Sequence, residues 1–180
     1  MTPREVKAWN VVAGGGIMRL MKTLALTVIT VGIVLALATV RIGAQNGAMI
    51  VTPGEVKWPP ATAGAVGTSG VAGIQTVVLK GDPNKAGLYT LLLRLGPNQK
   101  IEAHAHPDDR VAVVVSGTWY FGYGRQFDES KLRALPPGSF YTEPPNVDHF
   151  AMTKGEGVTI QITGTGPSAT TYVNPANQPR

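Results

Sequence analysis

Residues 100–123 read KIEAHAHPDDRVAVVVSGTWYFGY, and this stretch decides the fold. Its first six residues, Lys100–Ala105, alternate in character as a strand does, and they lead into His104-Ala-His106. Side chains on a strand alternate between faces, so positions i and i+2 project to the same side. Two imidazoles on one face can share a metal ion without distorting the backbone. Ala103 and Ala105 then point the other way and are small enough for close packing. Two further apolar runs, 111–115 and 119–123, flank Ser116-Gly117, which reads as a hairpin-like turn.

The same rhythm extends in both directions. Residues 74–79 form a short apolar run ended by Gly81-Asp82-Pro83, and 88–95 a second ended by Gly96-Pro97-Asn98. Residues 140–142 make a short strand. Runs 149–153 and 158–163 are expected to pair across Lys154-Gly155-Glu156-Gly157. The one helical candidate is 128–135, where Asp128 can cap the first turn and Pro136-Pro137-Gly138 stops the chain. Short strands separated by turn signals every 8–12 residues predict an all-β sandwich or barrel. No repeat and no second domain are evident.

The chain has 180 residues, and 43% of them are hydrophobic, enough for one packed core. It lacks cysteine, which excludes disulfides and thiolate metal sites. The net charge of +5 sits almost wholly in the first 44 residues. There Arg4, Lys7, Arg19, Lys22 and Arg41 face a single acid, Glu5. The remainder is nearly neutral, so a phosphate-binding surface has little support and no nucleic-acid partner is expected.

The basic segment has another explanation. Met18-Arg-Leu-Met-Lys22 precedes 18 uncharged residues, TLALTVITVGIVLALATV, and then Arg41-Ile-Gly-Ala44. That is the order of a secretory signal: basic segment, apolar segment, small residue at the cut. The domain organisation read from these features is a leader over 1–44 with a signal-peptide core at 18–44, an N-terminal arm over 45–72 and a β-barrel over 73–180. The arm is rich in Gly, Ala, Thr and Pro. The protein is expected to be exported, to the periplasm of a bacterium or beyond it. An uncleaved membrane anchor is the rival reading, since 18 helical residues span about 27 Å of a hydrocarbon core of about 30 Å.

The chain has three histidines, and the third, His149, opens a later strand just after Pro144-Pro145-Asn146. Together the three fall on a recognisable pattern. Gly96, His104, His106 and Gly117 resemble the first motif of the cupin superfamily. Leu135-Pro-Pro-Gly138, Pro145 and His149 resemble the second. The resemblance covers roughly residues 73–165. It is similar to exported bacterial single-domain cupins, and more loosely to zinc-binding anti-sigma-factor cupin domains and to three-histidine dioxygenases. It implies a cupin-type double-stranded β-helix, a jelly-roll barrel, with His104, His106 and His149 as metal ligands.

One position departs from the pattern. Cupins usually place a Glu four residues after the second histidine, and here that residue is Arg110. A guanidinium cannot ligate a cation. Arg110 shares strand parity with the histidines, so it either faces the cavity and meets a substrate or turns out to pair with Asp108 or Asp109. An anionic fourth ligand is sought in Glu102, which has the right parity, in Asp108 or Asp109, or in Glu143, which lies six residues before His149 and could instead support an imidazole.

Imidazole ligands suit one divalent transition metal, iron or zinc foremost, with manganese, nickel and copper also compatible. Two classes of function follow. One is a small-molecule enzyme, dioxygenase-like in its use of a redox-active ion. The other is a non-catalytic module that senses or sequesters a metal or ligand. The expected partner is a small molecule, with the membrane reached only through the leader. A homodimer, with the arm around Trp58 crossing to a second copy, follows from the resemblance.

Overall fold

The computed structural model describes residues 47–61 and 67–179. The leader reading, with its signal-peptide core and anchor alternative, lies outside the described residues. The chain divides into two compact units, Met1–Ile50 and Val51–Arg180. Every strand among the described residues belongs to the second.

The described residues of that unit form ten strands. They are β1 (Gln75–Lys80), β2 (Gly87–Leu95), β3 (Lys100–Ala105), β4 (Arg110–Ser116), β5 (Trp119–Tyr123), β6 (Arg133–Leu135), β7 (Phe140–Glu143), β8 (His149–Met152), β9 (Val158–Gly166) and β10 (Thr171–Tyr172). They form two five-stranded sheets, ordered β1-β2-β9-β4-β7 and β10-β3-β8-β5-β6, with antiparallel pairing throughout. This is the all-β barrel read from the strand pattern, in the jelly-roll form that the cupin resemblance implied. The core lies between the sheets: Leu91, Leu93, Ile160 and Ile162 from one meet Ile101, Trp119, Phe121 and Ala151 from the other. Alternation sets the division. In β9, buried Val158, Ile160 and Ile162 interleave with partly exposed Thr159, Gln161 and Thr163.

Three local expectations change. Runs 149–153 and 158–163 do not pair with each other. β8 lies between β3 and β5, while β9 lies between β2 and β4 in the opposite sheet. The connection between β4 and β5 likewise crosses between sheets and forms no hairpin. Gly117 makes that crossing at φ +71°, where a side chain would strike the Gly157 carbonyl. The helix expected at 128–135 shrinks to a 3₁₀ turn, Glu129–Lys131. Asp128 does cap it, accepting from the Ser130 amide at 3.0 Å. The rest of the segment becomes β6, because Leu135 is drawn onto Trp119 as its register partner.

Trp58 and Pro59 of the arm touch the barrel. The Arg94 guanidinium lies over the Trp58 ring of the same chain, 3.8 Å from its centre. The Gln75 side chain donates to the Pro59 carbonyl at 2.6 Å. Farther on, three consecutive carbonyls accept from three side chains. Gly67 receives Arg110 at 3.0 Å, Thr68 receives Thr170 at 2.6 Å and Ser69 receives Tyr172 at 2.8 Å. Backbone carbonyls buried away from water need such partners. The segment 67–69 is thereby fixed over one end of the barrel interior.

Candidate metal centre

Three strand positions bring the histidines together. His104 and His149 are direct register partners on β3 and β8, and His106 follows two residues after His104. A bulge in β3 makes this possible. The register slips between Ile101 and His104, so both residues face the barrel interior despite their odd spacing. The same bulge displaces Glu102. Its carboxylate pairs with Lys100 at 2.6 Å, on the outer side of the sheet. Strand parity alone placed Glu102 beside the histidines, and the extra residue reverses that placement.

The ligand-capable atoms of His104, His106 and His149 lie within 4.8 Å of one another, and all three residues are buried. Each ring is oriented by a carbonyl. The Nδ1 of His104 meets the Glu102 carbonyl at 2.7 Å, that of His106 meets Ala169 at 2.7 Å, and that of His149 meets Val147 at 3.0 Å. A carbonyl can only accept, so each Nδ1 carries its ring's proton. The Nε2 lone pairs are then free on the inner side, which is the tautomer a metal ligand requires. The Nε2 atoms of His106 and His149 are buried and have no hydrogen-bond partner among the described residues. Unpaired buried nitrogen is costly, and a divalent ion among the rings relieves the cost. The cluster could hold such an ion.

Electrostatics reinforces the neutral form. Burial, before any neighbouring charge, holds the imidazoles far below the ordinary 6.5, with His104 at about 3 and His106 at about 2. His149 is lowered for the same first reason.

Arg110 and Glu143 complete the surroundings. They are register partners on β4 and β7. The guanidinium donates to Glu143 Oε2 through Nη2 and to the Gly67 carbonyl through Nη1. Arg110 is thus buried and turned inward, and it is not a surface partner of Asp108 or Asp109. Asp108 instead accepts from the Tyr89 hydroxyl at 2.6 Å. Gly164 permits that bond, since a side chain there would lie 2.7 Å from the phenol oxygen. Glu143 Oε2 stands 3.8 Å from His149 Nε2 and 4.0 Å from His106 Nε2. Burial alone would push the Glu143 carboxyl up, but Arg110 and the two histidines together hold it down at about 2. A carboxylate thus stands beside the histidines from β7, the strand next to the one that carries Arg110.

Beside the cluster is a small chamber of about 30 Å³. Its polar end is formed by His104, His149, Arg110 and Glu143, its apolar end by Trp119, Phe121 and the aliphatic core, and its roof by 67–69. Several of these participants carry no sequence signal. The Ala169 carbonyl reaches His106 from 63 residues away. The buried Tyr141 hydroxyl interacts with the Trp119 side chain and with Glu143, although both rings read as ordinary core aromatics in the sequence.

One of the solved structures that the chain resembles supports the fold. The polyketide cyclase RemF from Streptomyces resistomycificus shares it at TM-score 0.54 and 14% identity, over 73% of this chain and 89% of that one. KdgF from Halomonas sp. aligns at TM-score 0.47 and 18% identity, over 66% and 94%. A sugar phosphate isomerase of the cupin superfamily from Silicibacter pomeroyi aligns at TM-score 0.44 and 20% identity, over 56% of this chain and 65% of that one. The chain thus spans less than two thirds of the isomerase's length. No curated protein matches. A family model, described as a domain of unknown function (DUF4437), matches residues 55–166. With a cupin-type barrel and its three histidines on the motif positions, the chain belongs to the DUF4437 family.

Proposed function

We propose that the protein is a mononuclear metal protein acting on a small molecule, with His104, His106 and His149 as ligands and Glu143 beside them. The observation that carries this reading is the pair of buried, unpartnered Nε2 atoms on rings whose Nδ1 atoms are fixed by carbonyls. A bound divalent ion would supply Lewis-acid polarisation of an oxygen atom or, if redox-active, chemistry with dioxygen. The protein's own contribution is placement. The carbonyls of Glu102, Ala169 and Val147 fix the rings. Arg110 keeps Glu143 ionised and turned to the cluster. The apolar wall of Trp119 and Phe121 keeps bulk water from the chamber.

On this basis we read the protein as a dioxygenase-like oxidoreductase using iron. Its test is dioxygen uptake by the iron-loaded protein with β-diketones and catechol-like compounds, alongside elemental analysis. Uptake above that of a His104→Ala variant is expected, and a metal-free purified protein that cannot be loaded would refute the reading.

One observation favours the alternative of a non-catalytic binding or sensing module. The chamber of about 30 Å³ holds roughly two waters and no larger substrate while 67–69 are seated. Tight metal binding without any substrate-dependent uptake supports that alternative. Export is proposed from the composition of residues 18–44. Mass spectrometry of the native N-terminus tests it, and an intact Met1 or Met18 would contradict cleavage.

A further inference from the structure

The two sheets leave a groove of about 500 Å³ beside the edge strands β6 and β7. Its inner wall is Phe121 and Tyr141, whose ring centres are 4.5 Å apart. Phe121 also lines the chamber at the histidines, and its ring stacks on His149 at 5.4 Å. The groove is therefore separated from the candidate metal centre by the thickness of one side chain. At the rim, Phe140 is 62% exposed, and Tyr123 reaches across the gap to donate to the Thr142 carbonyl at 2.6 Å.

The charge in this groove is one-sided. Lys131 and Arg133 line it, and no acidic residue does. Lys131 is paired with Asp128 at 3.5 Å. Among the described residues, the Arg133 side chain has no ion pair or hydrogen bond. It is the register partner of Phe121, so it stands on the interior-facing side of its sheet, at the open edge. An inward charge on an edge strand also discourages pairing with another sheet. That role requires only the charge, and it predicts no ligand.

The volume is that of a small-molecule site. Aromatic walls favour a flat unsaturated body. A free guanidinium favours a carboxylate, which it can grip with two parallel hydrogen bonds. We propose that this groove is the docking subsite for a small ligand with a flat unsaturated body and one carboxylate. The body lies against Phe140 and the Phe121–Tyr141 wall, and Arg133 takes the carboxylate. The proposal rests on the metal-site reading only for what lies beyond Phe121.

The test uses cinnamate as the probe and the full chain, both metal-free and zinc-loaded, observed by saturation-transfer NMR with a titration. Cinnamate is expected to bind both forms, and Arg133→Glu is expected to weaken it about tenfold or more. Phe140→Asp should weaken it similarly, and Arg133→Lys less than either. Cyclohexanecarboxylate, equally charged but not flat, should bind more weakly than cinnamate. Because Arg133 and Phe140 are exposed, the variants should keep the parent circular dichroism. Absence of binding by the parent, or equal binding by Arg133→Glu, would overturn the proposal. Cinnamate binding by a chain that takes up no metal would uphold the groove while removing the metal reading. Metal uptake without cinnamate binding would do the reverse.

Discussion

Arg110 and Glu143 face each other across β4 and β7, and the oxygen that receives the guanidinium is the one 3.8 Å from His149 Nε2. The pair thus joins the fold to the candidate site. The negative charge beside the histidines is balanced from within the protein while no ion is bound. Removing one partner of a buried pair leaves the other charge uncompensated, typically at about 3–5 kcal/mol.

Arg110→Met is therefore expected to destabilise the metal-free protein by about 3–5 kcal/mol. Saturating zinc should recover much of the loss, because the ion replaces the missing cation. Denaturant unfolding with and without zinc measures this. An identical loss in both conditions would show that Glu143 does not address the metal.

Glu143→Gln keeps the size and removes the charge. A carboxylate supporting a metal site commonly contributes 10–100-fold in affinity, and a weakening of about that size is expected. Competition with a chromophoric chelator reads it directly. Unchanged affinity would place Glu143 outside the metal's surroundings.

Tyr172→Phe removes the hydroxyl that holds the Ser69 carbonyl at 2.8 Å. The stability cost should be modest, about 1 kcal/mol. The 67–69 segment should loosen, and amide hydrogen exchange there should quicken relative to β9. Unaltered exchange in residues 67–72 would mean the other two anchors suffice.

The metal-free protein should lose stability in mild acid. An unfolded histidine takes up a proton below about 6.5, whereas burial keeps folded His104 and His106 neutral to about 3 and about 2. Between those limits the unfolded chain binds more protons, so stability falls as pH falls, by up to about 1.4 kcal/mol per pH unit for each group. Glu143 adds to the trend below its ordinary 4.5, since its folded carboxyl stays ionised to about 2. Thermal unfolding of chelator-treated protein from pH 7 to 4 checks this, and a flat profile would show that the rings are hydrated.

The strands were legible because residues such as Ile160 and Ile162 alternate with polar neighbours, and because glycine and proline mark most of the turns. Their partners were not. Sequence adjacency suggested that β8 and β9 pair, but each lies in a different sheet, where its inner face closes over the shared core. The histidines were legible from spacing, whereas Glu102 was misplaced because a bulge has no signature in a run such as KIEAHA. The roof over the chamber was invisible for a different reason. Its three carbonyls are backbone groups, and their donors Arg110, Thr170 and Tyr172 lie 43 to 103 residues away.

The central claim is that His104, His106 and His149 hold one metal ion. The most direct measurement is the metal content of the full chain after loading and exhaustive desalting, beside that of His104→Ala. The account predicts about one divalent ion per chain in the parent, at a mononuclear site of this kind, and almost none in a variant whose β-sheet spectrum is unchanged. A parent that retains no ion, or a variant that retains the parent's full complement, would contradict it.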